Sequence, residues 1–265
     1  MQKVDIFKND IKNDRLKIIN IDLPFKNLSN ISFINCKRYI KKSFDLAHDI
    51  SLNDKSIIGI INCPINKKLL NNGNFGVTEY LASKCQIKDS SEVMLIRNDK
   101  LAVSPVTTHN DLKSVSKILS KNLIVKKINT INLYFKKIFL RKPKIAVLGL
   151  NPHNGELKKK TEEVRIIIPA IKRLKKKNIR VYGPLVSDTI FINDYKKFDV
   201  IVGMYHDQVL GPFKALYKFN AINLTLGLKY LRVSPDHGVA INLIGKNKAN
   251  PTSLLECVKF LNKFG

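Results

Sequence analysis

The sequence has no tryptophan, four cysteines and no apolar run long enough to cross a bilayer. The absence of a Cys-x-x-Cys pair favours reduced, mostly buried thiols over a disulfide framework or a zinc knuckle. There is also no Gly-x-Gly-x-x-Gly motif, so an ordinary Rossmann dinucleotide site is not supported. The segment Met1–Asp5 contains no apolar signal core. We therefore expect a cytoplasmic protein that does not associate with membranes.

Acidic residues are scarce. The chain has 21 of them against 47 lysines and arginines, which gives a formal charge of +26 and a pI of about 9.9. Such a balance usually indicates nucleic acid or an anionic surface as partner. Here the lysine pairs are spread along the chain, with no RNA-binding aromatic motif, Cys2His2 pattern or heptad repeat. We expect no specific nucleic-acid partner, and a positive field that steers small anionic ligands.

The chain has 265 residues, of which 44% are hydrophobic, enough for one large or two modest domains. Apolar runs alternating with amphipathic stretches predict an α/β fold with two lobes. The predicted strands are residues 57–61, 93–96, 131–135, 144–150, 198–204 and 239–244. The predicted helices are residues 111–120, 161–177 and 252–264, the second kinked by Pro169.

Three of the five histidines, His109, His153 and His206, lie beside apolar runs, where a buried strand is expected to meet a loop. Imidazoles on neighbouring loops could form one metal site. Their spacing matches no short zinc signature. The alternative is that each histidine hydrogen-bonds to neighbouring backbone at a strand end.

From about Cys63 onward, an ordered series of motifs resembles the 4-hydroxythreonine-4-phosphate dehydrogenase family of the pyridoxal phosphate pathway. The motifs are Thr107-Thr108-His109, Gly149 to Glu156, Thr161-Glu162-Glu163, Gly183-Pro184-Leu185 with Asp188-Thr189, Tyr205-His206-Asp207-Gln208, Asn223 to Leu228, Arg232, and Asp236-His237-Gly238.

The resemblance implies a divalent cation held by His109, His153 and His206, usually zinc, with cobalt or magnesium as possible substitutes. It also implies substrate contacts from Thr78, Lys214, Asn223 and Arg232. The backbone of His237 and Gly238 would lie against the adenine side of NAD or NADP. Asp207 is a candidate general base by adjacency only, and the alternative is that it orients an imidazole.

The implied fold is that of the isocitrate and isopropylmalate dehydrogenases, with two lobes and the site in the cleft between them. Residues 1–75 with 221–265 would form the first lobe, and residues 76–220 the second, which carries the metal histidines. Family members are homodimers whose sites draw residues from both subunits. The implied reaction is NAD-dependent oxidation and decarboxylation of a phosphorylated amino acid, 4-phosphooxy-L-threonine.

The sequence departs from the family at three places. Val77 replaces a histidine that contacts substrate, and Asn66 replaces a second histidine, while the neighbouring Lys67 is retained. The amino end lacks the family's first strand and glycine-rich loop, so we expect a shortened lobe unless Met1–Phe7 replaces the strand. Two alternatives stay open: a dehydrogenase of phosphorylated four-carbon sugar acids, and a decayed homologue that binds anions or nucleic acid.

Overall fold

The computed structural model describes residues 18–27, 31–66, 68–71, 76–192 and 194–265. The expected replacement strand at Met1–Phe7 and the retained Lys67 lie outside these ranges. Within them, no helix is both long and apolar enough to span a bilayer.

The described strands form one mixed sheet of eight, in the order β1-β8-β7-β2-β3-β6-β4-β5. Strands β1–β8, β3–β6, β6–β4 and β4–β5 pair in parallel, and β7–β8, β7–β2 and β2–β3 are antiparallel. The strands are β1 (Gly59–Ile61), β2 (Val93–Arg97), β3 (Ala102–Pro105), β4 (Ile145–Leu148), β5 (Val181–Leu185), β6 (Val200–Gly203), β7 (Ile222–Leu226) and β8 (Leu231–Pro235). The predicted α/β class is confirmed.

Helices cover both faces of this sheet and add a smaller layer beside it. They are α1 (Phe33–Asn53), α2 (Lys68–Asn71), α3 (Val77–Lys84), α4 (Leu112–Ile118), α5 (Lys121–Phe139), α6 (Ile168–Lys175), α7 (Ser187–Ile190), α8 (His206–Tyr217) and α9 (Thr252–Phe264). Short helical turns occupy Pro152–Leu157, Asp194–Lys197 and Ile241–Leu243, and a π-helical turn spans Glu163–Ile167.

Alternate residues of β2, β3, β4 and β6 belong to different hydrophobic cores, as the pleat of a strand requires. In β2, Val93 and Leu95 pack in the core that α5, α6 and α9 cover. Met94 and Ile96 belong to the core on the other face, which contains Phe213 of α8. A third core lies between α1 and α3 and includes Phe44, Leu70 and Leu81. The described strands of both proposed lobes belong to one continuous sheet, so strand pairing does not mark where one lobe ends and the other begins. The lobe boundaries therefore stay a prediction.

Two predicted strands are wrong. Residues 131–135 lie inside α5, where Ile124, Ile128 and Ile131 are completely buried at helical spacing. A short apolar run does not distinguish a strand from a buried helix turn. Residues 239–244 form a loop with one short helical turn, and Ile241 and Ile244 are exposed to 66% and 75%.

The helix predicted over residues 161–177 is divided. A π-helical turn over Glu163–Ile167 passes into α6, so Pro169 lies in the first turn of a new α-helix. Proline is tolerated there because the first amide groups of a helix have no partner within that helix. The predicted kink therefore takes the form of a change in helix type. The predicted helix over 252–264 coincides with α9, and α4 lies within residues 111–120.

The two sides of α5 offer a matched test of the core. We expect Ile128→Ala, at a site with no exposure, to lower the free energy of unfolding by about 2–5 kcal/mol through lost transfer energy and a residual cavity. Leu133→Ala, on the same helix and 62% exposed, should change it by less than about 1 kcal/mol. Urea unfolding measures both. Equal losses at the two sites would contradict the placement of residues 131–135 in an amphipathic helix.

Candidate functional site

A cavity of about 540 Å³ lies where α3, β7, β8 and the start of α8 meet. It collects all but one of the site residues predicted from the sequence: Thr78, His109, His206, Asp207, Lys214, Asn223, Arg232, His237 and Gly238. Val77, the departure from the family pattern, lines it too. His153 is the predicted residue that does not line the cavity.

The floor of the cavity holds Arg232, for which the described residues provide no counter-ion. Arg232 is 2% exposed, and its guanidinium donates hydrogen bonds to Asn62 Oδ1 at 2.6 Å and Thr225 Oγ1 at 2.8 Å, with Thr78 Oγ1 at 3.5 Å. All three acceptors are neutral, and no carboxylate of the described residues forms an ion pair with it. Burial lowers the pKa of Arg232 to about 10, so the group remains charged at neutral pH. An anionic ligand would supply the missing negative charge.

Lys214 provides a second cation at the cavity. Its ammonium group donates to the main-chain oxygen of Asp236 at 3.2 Å and lies 3.3 Å from Asp236 Oδ2. The second contact is an ion pair without hydrogen-bond geometry, so Asp236 Oδ2 has no donor among the described residues. Burial raises the pKa of Asp236 although Lys214 opposes the shift. Asn223 Oδ1 is likewise buried without a donor. Both oxygens can accept hydrogen bonds from a ligand.

His109 and His206 both line the cavity, with ring centroids 6.0 Å apart. His109 follows β3 and His206 begins α8 directly after β6. Because β3 and β6 are adjacent and parallel, their carboxyl ends meet at one edge of the sheet. The strand-end positions predicted for these histidines are therefore confirmed.

A carboxylate lies beside Nδ1 of each of these imidazoles. Glu79 Oε1 is 3.7 Å from His109 Nδ1, and the same carboxylate accepts hydrogen bonds from the Gly76 amide and the Thr108 hydroxyl. Burial alone would raise the pKa of Glu79. The interactions with His109 and the backbone hydrogen bonds outweigh burial and lower this pKa to about 2. His206 Nδ1 donates to Asp207 Oδ1 at 2.7 Å. With Nδ1 engaged in this way, Nε2 is the nitrogen left to bind a ligand.

His153 lies at the same edge of the sheet, after β4, which is the next parallel strand beyond β6. It is exposed and belongs to a left-handed turn, in which His153, Asn154 and Glu156 have φ of 50–58°. Non-glycine residues adopt this conformation only when their surroundings hold them there. A Cβ atom at Gly149 would lie 2.2 Å from Asn154 Oδ1, so a larger residue there would have to displace the Asn154 side chain.

Buried Glu163 holds the His153 turn. Its Oε1 accepts the amide hydrogens of Leu150 and Asn151 at 2.7 and 2.8 Å, and its Oε2 accepts Asn151 Nδ2 at 2.9 Å. On the other side, Gln208 donates to the Gly149 carbonyl at 2.6 Å and accepts the Met204 amide. The backbone ends of β4 and β6 are thereby fastened to each other.

Among the described residues, no group of three histidine, cysteine or carboxylate side chains is arranged so that it could hold a metal ion. What they present at the cavity is two imidazoles with ring centroids 6.0 Å apart, each with a carboxylate near Nδ1. Such a pair suits a divalent metal of the zinc type, whose further ligands would come from elsewhere.

An apolar cavity of about 270 Å³ adjoins the first one at Pro64, His237 and Gly238. Its remaining wall is formed by Val239, Ala240, Leu243, Ile244 and Ala249. The exposed segment that was predicted as a strand is therefore the rim of this apolar cavity. A flat apolar ring could lie against it, since glycine lets a ring approach the backbone closely.

Several residues that shape the site were assigned no role from the sequence: Asn62, Glu79, Glu163 and Gln208, of which the last two belong to the motifs quoted above. Each acts by holding another residue, and its partners are distant in the chain or belong to the backbone. The one local signal is the spacing of Gly76 and Glu79, which is that of a helix capping box.

We expect the contribution of Glu163 to the free energy of unfolding to depend on pH. Burial raises the pKa of Glu163, but hydrogen bonds from Asn151 and Leu150 outweigh this and lower it. A depressed pKa contributes stability above the ordinary glutamate pKa, and the contribution disappears as the pH falls through the folded-state value. We expect Glu163→Gln to cost about 1–3 kcal/mol in urea unfolding at pH 7. The difference from the unsubstituted protein should shrink below about pH 4, and a difference independent of pH would contradict this origin.

The fold and the cavity together define an α/β protein with a mixed sheet and a cavity lined by a buried arginine, a lysine and the imidazoles of His109 and His206. Residues 2–261 match the family described as pyridoxal phosphate biosynthetic protein PdxA, and the chain belongs to that family.

Similar proteins carry two kinds of name. The chain is 43% identical over 213 residues to 4-hydroxythreonine-4-phosphate dehydrogenase of Sulfurihydrogenibium sp., covering 78% of this chain and 65% of that protein. It is 36% identical over 200 residues to D-threonate 4-phosphate dehydrogenase of Pectobacterium atrosepticum, covering 74% and 61%. The crystal structure of a 4-hydroxythreonine-4-phosphate dehydrogenase from Burkholderia phymatum superposes with a TM-score of 0.73 at 32% identity, covering 99% of this chain and 80% of that one. The chain thus spans just under two thirds of the length of the curated relatives it matches.

Proposed function

We propose that the protein oxidises and decarboxylates 4-phosphooxy-L-threonine to 3-amino-2-oxopropyl phosphate in pyridoxine 5'-phosphate biosynthesis, with NAD or NADP as hydride acceptor. The observation that carries this proposal is Arg232: a buried guanidinium with neutral partners only, at the floor of a cavity lined by a second cation. The phosphate and carboxylate of the substrate would supply the absent negative charge.

The other cavity residues suit the remaining groups of this substrate. Lys214 offers a compact positive charge held in place by Asp236. Among the described residues, neither Asn223 Oδ1 nor Asp236 Oδ2 accepts a hydrogen bond, although Asp236 Oδ2 forms the ion pair with Lys214, and both buried oxygens suit the hydroxyl and ammonium groups. Thr78, 6% exposed at the start of α3, is near both Arg232 and Thr225. Asp207 is 87% exposed and hydrogen-bonded to His206, which favours an orienting role over that of general base.

A divalent metal, most simply zinc, with magnesium or cobalt as substitutes, would be held by His109 and His206 through Nε2. When bound there it would lower the pKa of the substrate hydroxyl and stabilise negative charge during loss of carbon dioxide. The contribution of the chain itself is to fix both rings through Glu79 and Asp207. The apolar cavity at His237 and Gly238 would take the adenine side of the cofactor.

The third imidazole would come from a second copy of the chain. His153 is exposed on a turn held in a strained conformation, and it does not line the cavity of its own subunit. A homodimer that places each His153 at the partner's His109 and His206 would complete a three-histidine site. Because the two subunits are identical, each would give its His153 to the partner and receive the partner's in return, so the arrangement would be symmetric.

A second candidate is the dehydrogenation of D-threonate 4-phosphate. Val77 lines the cavity at the position where the family has a substrate-contacting histidine. Valine cannot donate a hydrogen bond, so a substrate with a different substituent at this point is a reasonable alternative. The relative from Pectobacterium atrosepticum bears the name of that activity.

Formation of NADH with each candidate substrate tests the function. We expect absorbance at 340 nm to rise with 4-phosphooxy-L-threonine and NAD, to disappear on chelation and to return when zinc is added. His206→Ala should abolish it, because the removed imidazole is one of the proposed metal ligands. Turnover of D-threonate 4-phosphate alone would favour the second candidate. Failure of both substrates with folded, metal-loaded protein would refute the dehydrogenase proposal.

Mixed dimers test the shared site. His153→Ala and His206→Ala should each be inactive alone, since each removes one ligand from both sites. If His153 acts across the subunit interface, a mixed dimer of the two variants contains one site with every imidazole present. Co-refolding the two variants should then restore about a quarter of the unsubstituted activity, because half of the dimers are mixed and each has one intact site. No recovery from verified mixed dimers would place His153 elsewhere.

Arg232→Lys tests the anion contact. Lysine keeps the charge but loses the planar fork, so we expect kcat/KM to fall by about a hundredfold or more. The substrate should also protect this variant less against thermal unfolding. Lys229→Arg, an exchange at an exposed neighbouring position, serves as the control and should leave both values unchanged. Unchanged protection of Arg232→Lys would contradict the assignment of Arg232 as the anchor.

A further inference from the structure

A second cavity lies on the reverse face of the sheet, directly behind the catalytic one. Ile96 of β2 faces the proposed catalytic site, and the next residue, Arg97, faces this second cavity of about 200 Å³. The other residues that line it come from the start of β7 and from α9, and they include Asn220, Glu256, Lys259, Phe260 and Lys263.

Two phenylalanine rings fix the orientation of Arg97. Its guanidinium carbon lies 4.8 Å from the ring centre of Phe139 and 5.2 Å from that of Phe260. These rings belong to an aromatic cluster in which Phe139 and Phe264 centroids are 5.0 Å apart. Cation–π contacts hold a guanidinium by its faces and leave the N–H groups at its edge available for hydrogen bonds.

The edge of this guanidinium has no hydrogen-bond acceptor among the described residues. Its closest carboxylate is Asp99, at 3.9 Å, beyond hydrogen-bond distance and with a side chain 91% exposed. The Arg97 side chain itself is only 13% exposed. Burial lowers its pKa, with Asp99 opposing the shift, which reflects how poorly the charge is compensated.

The rest of the lining adds positive charge. Lys259 and Lys263 project from successive turns of α9, and Lys263 lies 5.3 Å from the ring centre of Phe264. Lys259 is paired with Glu256 at 2.8 Å. The three cations outnumber the two carboxylates, Asp99 and Glu256, and the amides of Asn98 and Asn220 add neutral donors.

From this arrangement we propose a second anion-binding site, distinct from the catalytic cavity, in which Arg97 binds the phosphate group of a small phosphorylated ligand through two parallel N–H···O hydrogen bonds. A phosphate carries two negative charges near neutral pH and presents several acceptor oxygens, which match one oriented guanidinium flanked by lysines. The cavity has room for a phosphate with a small substituent, and its aromatic floor would contact an apolar part of that substituent.

Side-chain NMR of arginine tests this site without relying on catalysis. Inorganic phosphate is titrated into 15N-labelled protein in a phosphate-free buffer, with sodium chloride adjusted to keep the ionic strength constant. The Arg97 Nε–H signal is identified by its absence in Arg97→Lys. We expect a saturable shift of this signal, while any signal from Arg232 reports the catalytic cavity separately. Acetate, a planar monoanion, distinguishes phosphate recognition from general carboxylate binding and should bind about tenfold or more weakly.

Substitutions at exposed lysines keep the test independent of folding. Lys259→Gln and Lys263→Gln should each weaken phosphate binding at Arg97 several-fold, whereas Lys172→Gln, on an exposed position of α6, should leave it unchanged. An Arg97 signal that does not move, or that moves equally with chloride, would overturn the proposal. So would equal weakening by all three lysine variants, because that indicates a general field and no built site.

Discussion

The architecture of the site depends on one buried charge. Arg232 is held on the sheet by neutral oxygens from three directions, and its environment provides no carboxylate among the described residues. Burying a guanidinium in this way is costly, and the cost is tolerated where a ligand later provides the opposite charge. The fold meets the requirement by placing Arg232 in β8, with β1 on one side and β7 on the other. Rigid strands on both sides thus hold the cation in a fixed position at the cavity, as the proposed anion contact requires.

The strands of the sheet also determine how the imidazoles are arranged. They follow three neighbouring parallel strands, β3, β6 and β4, so the sheet itself brings His109, His206 and His153 to one edge. Carboxylates beside the rings, or beneath the loop that carries a ring, help to set the position of each imidazole. Glu79 and Asp207 lie at the rings, whereas Glu163 supports the turn that carries His153. One class of side chain therefore serves two purposes, orientation of a ring and support of a strained backbone.

Much of this arrangement could be predicted from the sequence, and the failures have physical reasons. Runs such as Val200–Gly203 are apolar throughout because strands of a parallel sheet are covered on both faces, so they were readily predicted. Ile131–Phe135 is also largely apolar but lies in α5, where only the longer 3.6-residue pattern distinguishes it. The cavity residues were predicted through resemblance, since nothing local marks Lys214 or Asn223. Glu163 and Gln208 could not have been assigned their tasks, because their partners are backbone groups brought near by the fold.

Strand β2 separates two cationic cavities by the thickness of one sheet. Ile96 and Arg97 are consecutive, so their side chains point to opposite faces of the sheet. The register of β2 decides which of the two points to which face. Pairing with β7 on one side and β3 on the other fixes that register. A slip by a single residue would insert a second guanidinium into the cavity that holds Arg232 and would place an isoleucine among lysines. The hydrogen-bond ladders of β2 therefore determine the electrostatic character of both faces, as well as holding the sheet together.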